Sequence, residues 1–168
     1  VINLRISIRR SRDSQRVADL GSISEALGRY QRDFGFFPLS QGGKLKACKG
    51  ENFDQVWSMI NKEKEFDAGQ FFNGLKDCEW GADSLSDVTD PAYQPHLRTI
   101  PKDPESVEGF SYLYFSNAKR FQIYAYLEGE KSEDQYDTRV VSRNLSCGAG
   151  ACSVGRASGD TPLDKSIE

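Results

Sequence analysis

The stretch RDFGFFPLS, residues 32 to 40, decides how the chain is read. It holds the triplet Asp33-Phe34-Gly35, the letters that bind magnesium in protein kinases. It is equally what the end of a helix looks like. Gly35 can take the left-handed conformation that closes a helix, and Pro38 forbids its continuation. A kinase also needs a Gly-rich phosphate loop, a strand lysine and a His-Arg-Asp loop. None of these occurs in the 168 residues. Gly35 is therefore read as a helix terminus, and Asp33 as an ordinary last-turn residue. Phe36, Phe37 and Leu39 then fold back as apolar plugs.

Upstream of that terminus, Val17, Leu20, Ile23, Leu27, Tyr30 and Phe34 recur at steps of three and four. Residues 1–34 are expected to form one long helix with these side chains on one apolar stripe. Arg16, Asp19, Glu25, Arg29 and Arg32 are placed on the opposite, polar side. Further upstream Ile2, Leu4, Ile6 and Ile8 continue an apolar pattern, crowded by Arg5, Arg9, Arg10 and Arg12. No capping residue precedes Val1, so the helix reads as cut open. Met59 is the only methionine; the expectation is that a leader or upstream segment has been removed.

Downstream, residues 40–99 read as a helical insert. Gln41-Gly42-Gly43 is a loop. Asn52 or Asp54 caps a short helix carrying Phe53, Val56, Trp57 and Ile60, and a second runs from Ala68 to Leu75. Asp90-Pro91 and Gln94-Pro95 are breakers. Residues 109–127 carry the clearest strand signal. Phe110, Tyr112 and Tyr114 alternate with Ser111, Leu113 and Phe115, and after Asn117-Ala118-Lys119 the pattern resumes at Phe121, Ile123, Ala125 and Leu127. This is an antiparallel hairpin, to which Thr138–Ser142 is expected to add a third strand. Residues 100–145 are thus a β-meander, and residues 146–168 a C-terminal loop on the surface. The order helix, helical insert, meander is an α+β order in one domain spanning residues 1–168.

The net charge of −3 gives no general pull toward nucleic acid or anionic lipid. No run of ~18 apolar residues is long enough to span a bilayer. The four cysteines, Cys48, Cys78, Cys147 and Cys152, form no Cys-x-x-Cys pair, and His96 is the only histidine. Two disulfides in an exported protein fit better than a zinc site. Of the three possible pairings, the one with local loops is expected: Cys48 with Cys78, and Cys147 with Cys152. The larger loop would stabilise by ~3 kcal/mol in the chain-entropy description.

Three motifs carry a resemblance. The first is the run from Arg12 to Ser40, with Asp13, Arg16-Val-Ala-Asp-Leu20, Ala26-Leu27, Tyr30 and the Gly35-x-Phe37-Pro38 exit. The second is Ile100-Pro101-Lys102-Asp103-Pro104. The third is Tyr112-x-Tyr114 followed by Tyr124-Ala125-Tyr126-Leu127-Glu128. In this order they resemble the type IV pilins and the pseudopilins of type II secretion, over roughly half of the chain. The resemblance implies a pilin-like fold, a long helix packed on a small antiparallel meander. It implies a structural filament subunit rather than an enzyme, with no catalytic residue and no cofactor. The partners it implies are further copies of the chain, other pilins, the assembly platform, and the inner membrane through a hydrophobic half-helix not present here. The location it implies is the bacterial cell envelope, then a periplasmic or extracellular filament. The Gly-Asp pattern that helps major pseudopilins bind calcium is not clearly present, and the insert from Ser40 to Thr99 is long for a small pseudopilin.

Several residues admit a sharper reading. Asp103, between Pro101 and Pro104, is read as fixing a turn. The acidic run Glu128, Glu130, Glu133, Asp134 and Asp137 could join Asp160 and Asp164 in a calcium site, although an EF-hand spacing fails and a solvated acidic loop explains the run as well. The arginines at 5, 9, 10, 12 and 16 lack interleaved aromatics, so nucleic acid is not the expected partner. Acidic groups of neighbouring subunits or lipid headgroups fit them better. A competence pilin binding DNA is the alternative within the family. Outside it, the alternative is a secreted binding or enzymatic domain built on Trp57, Phe71, Phe72 and Trp80. His96 is read as a loop residue, and Asn144-Leu145-Ser146 as a sequon only where that pathway exists.

Overall fold

A computed structural model describes residues 2–63, 65–129 and 135–167. The chain is α+β, with one long helix and small antiparallel sheets. Helix α1, Ile2–Phe34, has 33 residues, about 50 Å at 1.5 Å per residue. It stops where the sequence indicates. Gly35 has φ 82°, and its N–H donates to the Gln31 carbonyl at 2.8 Å. Asp33 is exposed; its carboxylate lies 3.5 Å from His96 Nε2. Among the described residues no helix is long and apolar enough to cross a membrane.

Residues 40–99 are not purely helical, which corrects the expected insert. Strands β1 (Leu39–Gln41), β2 (Lys44–Lys49) and β3 (Leu75–Asp77) form a three-stranded sheet in that order. Gly42 and Gly43, at φ 57° and 75°, make the two-residue turn that joins β1 to β2, a conformation glycine adopts without penalty. Helices α2 (Phe53–Glu63) and α3 (Ala68–Asn73) do form. Asp67 caps α3, its side chain accepting the Gln70 N–H. A disulfide joins Cys48 on β2 to Cys78 just past β3.

The second sheet has the order β4 (Leu113–Ser116), β5 (Phe121–Ala125), β8 (Val154–Ala157), all antiparallel. The hairpin β4–β5 is where the sequence places it. Its third strand is not. Thr138–Ser142 is a short helix, α4, capped by Asp137. The strand comes instead from the tail, which also carries the small pair β6 (Ser146–Cys147) and β7 (Gly150–Ala151). The tail is therefore not one surface loop, although residues 158–167 beyond β8 carry no helix or strand. A second disulfide joins Cys147 to Cys152.

β5 is buried at all five positions because both its faces are covered. Phe121, Ile123 and Ala125 face the main core with Leu20, Ile23, Leu27 and Tyr30 of α1. Tyr124 lies in a second cluster with Val140, Cys147 and Cys152. Gln122, on that same side, donates to the carbonyls of Pro162 and Lys165. The β1–β2 hairpin docks on the edge of β4, the Tyr114 N–H donating to the Gly43 carbonyl at 2.8 Å.

Candidate functional site

The stripe of α1 that faces the sheets runs Leu20, Ile23, Leu27, Tyr30 and Phe34. One further step of four toward the N-terminus reaches Arg16. Arg16 is fully buried, not on the polar side where sequence reading put it. Asp13 and Asp19 are buried beside it.

Four carboxylates surround that guanidinium. Asp103 accepts two bonds, from Nε at 2.8 Å and Nη2 at 3.0 Å. Nη1 donates to Asp13 at 2.9 Å and to Glu128 at 2.7 Å. Glu105 lies 3.5 Å from Nη2. On its other side, the guanidinium carbon stands 5.9 Å and 5.8 Å from the ring centroids of Phe110 and Tyr126, two rings stacked at 4.8 Å. One turn earlier, Arg12 donates to both oxygens of Glu128. Asp13 also accepts the backbone N–H groups of Glu128 and Gly129 at 2.9 Å each. One turn later, Tyr112 donates to Asp19 at 2.5 Å, and Gln15 donates to the other oxygen at 2.7 Å.

The electrostatics follow from this packing. Burial disfavours the charged guanidinium of Arg16, but the hydrogen bonds it donates to Asp103 and Glu128 outweigh it and hold the charge firmly. The Glu128 carboxyl is pulled down to about 2, first by its bond from Arg12; burial opposes this and Arg16 adds to it. The cluster fastens three segments: α1, the turn at 103–105, and the exit of β5 at 128–129. Asp103 does fix its turn, accepting the Glu105 N–H at 2.8 Å, and in addition it anchors the helix. Its flanking prolines, Pro101 and Pro104, hold the approach extended.

A pH dependence follows. The ordinary value for the Glu128 carboxyl is 4.5 and the folded value is about 2. Its contribution is complete above the ordinary value and is lost as the pH falls toward the folded one. Urea titrations at pH 5 and pH 2 should differ by roughly 2–3 kcal/mol more for the native chain than for Glu128→Gln. Equal pH slopes in the two proteins would show that the carboxylate is not held by the arginines. His96 acts in the same direction. Burial, opposed by Asp33, pushes its imidazole below 6.5, so protonation below that value favours the unfolded chain.

The other sequence candidates do not converge. Asp137 caps α4 and pairs with Arg139; Asp160 and Asp164 are exposed; Asp134, Glu130 and Glu133 lie outside the described residues. Among the described residues, the only grouping of three possible metal ligands is Cys48, Cys78 and Asp83, and its two sulfurs are bonded to each other. The insert aromatics divide. Phe71 packs with Trp57 and Phe72 in a cluster under α2 and α3, while Trp80 packs on the main core beside Tyr112. His96 is a loop residue, as read, but a buried one whose ring meets Tyr30.

The sequence reading missed Arg16 as a core residue. The signal was present in the steps 16, 20, 23, 27, 30, 34, which fit the helical repeat better than a stripe beginning at Val17, a residue left half-exposed. Continued toward the N-terminus, the same row holds Arg12, Arg9 and Arg5. Burial falls away along it, and residues 3–8 are all exposed. No family model, curated protein or solved structure matches the chain.

Proposed function

We propose that this chain is a pilin-like structural subunit of a filament of the type IV pilus or type II secretion kind, assembled from the bacterial inner membrane. The observation that carries the reading is the division of α1. From Asp13 onward the helix is fastened to two sheets through the Arg16 cluster and the apolar stripe. Ahead of it residues 3–8 stand free of the globule, with Leu4 64% and Ile8 45% exposed. A globular head with a protruding helix suits repeated head-to-tail packing, a heterologous contact that generates an open helical polymer. The three sequence motifs fall on matching parts of this layout: helix and exit, the Asp103 turn, and the β4–β5 hairpin. The partners on this reading are further copies, other pilins and an assembly platform.

The experiment is expression of the complete gene. The reading expects a short basic leader and ~20 apolar residues ahead of Val1, membrane association of the full-length product, and filaments by electron microscopy when the export machinery is present. A cleavable signal peptide that leaves Val1 as the mature N-terminus would overturn it in favour of a secreted binding domain.

A further inference from the structure

Beyond β8 the chain turns back across the face of the second sheet that points away from α1. Residues 158–167 form no helix or strand of their own, and side chains of the sheet grip their main chain instead. Gln122 donates to the carbonyls of Pro162 at 2.5 Å and Lys165 at 2.7 Å. Tyr124 Oη and Arg143 Nη1 donate to the Leu163 carbonyl at 2.8 Å and 3.3 Å. Asn117 Nδ2 donates to the Ile167 carbonyl at 3.0 Å. Arg143, the C-cap residue of α4, also donates to the side chains of Gln122 and Tyr124, so these donors are positioned by one another and not by the tail alone. Between the gripped carbonyls, the Leu163 side chain packs on the cluster of Tyr124, Val140, Cys147 and Cys152. The arrangement is a groove for a short bent peptide, with donors for its carbonyls and an apolar seat for one side chain.

The tail joins β8 through a turn suited to a hinge. Gly159 has φ 50°, a Cβ there would meet nothing within 4 Å, and Gly159 and Asp160 are both exposed. We propose that the groove over Gln122 and Tyr124 is a docking site for the segment 161–167 of a second copy, with the chain's own tail as its resting occupant. The fit selects the occupant. This is the sequence whose carbonyls and leucine the groove matches, and exchange of an identical segment between copies needs no new kind of contact. The Asp164 carboxylate also acts through space on Arg139, so charge favours an acid directly after the leucine. The tether keeps the cis tail at an effective concentration on the order of millimolar, so exchange belongs to conditions that crowd copies together or loosen the tail. The inference rests on the tail and its groove and not on the filament reading.

The test uses the 168-residue chain throughout. Leu163→Asp removes the apolar anchor and should weaken the cis tail roughly tenfold. A fluorescently labelled peptide of residues 160–168 should then bind this variant about tenfold more tightly than the native chain, read by anisotropy. The same peptide carrying Leu163→Asp should not bind. A second variant leaves both tail and groove intact: a Gly-Ser linker of about 12 residues inserted after Gly159 lowers the effective concentration of the tail and should also raise peptide binding. Circular dichroism of each variant checks the fold. Mixing Leu163→Asp, whose groove is open, with Tyr124→Phe/Arg143→Gln, whose tail is intact, should give a heterodimer by sedimentation that neither variant forms alone. No peptide binding by either opened form would overturn the inference, since the tail would then be a fixed part of the fold. Equal binding of the native and Leu163→Asp peptides would do the same. Peptide binding without the heterodimer would remove the second copy as the occupant. None of these bears on whether the complete gene product forms filaments.

Discussion

Replacing Arg16 with methionine should destabilise the protein by about 3–5 kcal/mol, because it leaves buried carboxylates without their cation. Methionine keeps much of the length and apolar volume of the arginine stem, so the loss reports charge more than cavity. Asp103 would lose both of its bonds from the guanidinium, and Asp13 would keep only its backbone donors. Glu128 would still hold Arg12. The measurement is the urea midpoint at pH 7, with the slope checked for unchanged compactness. A loss under 1 kcal/mol would mean that Arg12 or water takes over the charge. A second variant separates pairing from packing. Arg16→Met combined with Asp103→Leu and Asp13→Asn removes the cation and most of the unpaired anions together, and should recover part of the loss. A buried ion pair is costly to break but contributes little net of its desolvation.

The same residue shows where the sequence was legible and where it was not. The helix was readable because its apolar repeat is long and its end is marked by Gly35 and Pro38. The hairpin was readable because aromatic and β-branched residues alternate on both sides of a polar turn. Arg16 was misplaced because residue type was allowed to outrank position. A guanidinium on a core stripe is rare, and only its partners on distant segments, at 103 and 128, make it tolerable. The β1–β2 hairpin was also available: Gly42-Gly43 is a two-residue turn, and Leu45 and Ala47 alternate with Lys44 and Lys46. The lysines concealed it. β8 was not available. Val154-Gly155-Arg156-Ala157 has little strand propensity, and its glycine is there because a Cβ would stand 2.7 Å from the Tyr124 ring. α4 ran against its β-branched residues; with five residues, the Asp137 cap and its packing under Val140 decide it, not propensity.

The Arg16 cluster and the apolar stripe divide the work along one helix. The cluster sits where α1 leaves the globule, so it fixes the point at which the helix becomes free. An apolar side chain there would hold the helix as well in energy but not in direction. A bidentate arginine bonded to three segments sets the axial register of α1 against the sheet. On the proposed filament reading, that register sets the angle at which the protruding end of α1 meets a neighbour.

Leu27→Ala should cost about 2–5 kcal/mol, the range for truncating a buried leucine in a core that relaxes only partly. Leu27 is completely buried in the cluster that holds Ile23, Tyr30, Phe121 and Ile123. Those neighbours come from α1 and the middle strand β5, so neither can move into the space without shifting the other. The upper half of the range is therefore expected. Leu4→Ala is the internal control. Leu4 is 64% exposed on the same helix, and its truncation should change stability by less than about 0.5 kcal/mol in either direction. Alanine is at least as good a helix former as leucine, so a substantial loss at position 4 could not be ascribed to propensity. Chemical denaturation of the two variants against the native chain measures both. A loss below half a unit at Leu27 would place the stripe in solvent and undo the packing of α1 on the sheet. A loss of 2 kcal/mol at Leu4 would mean that the start of α1 is already packed within the isolated chain, leaving no free helix for a neighbour to receive.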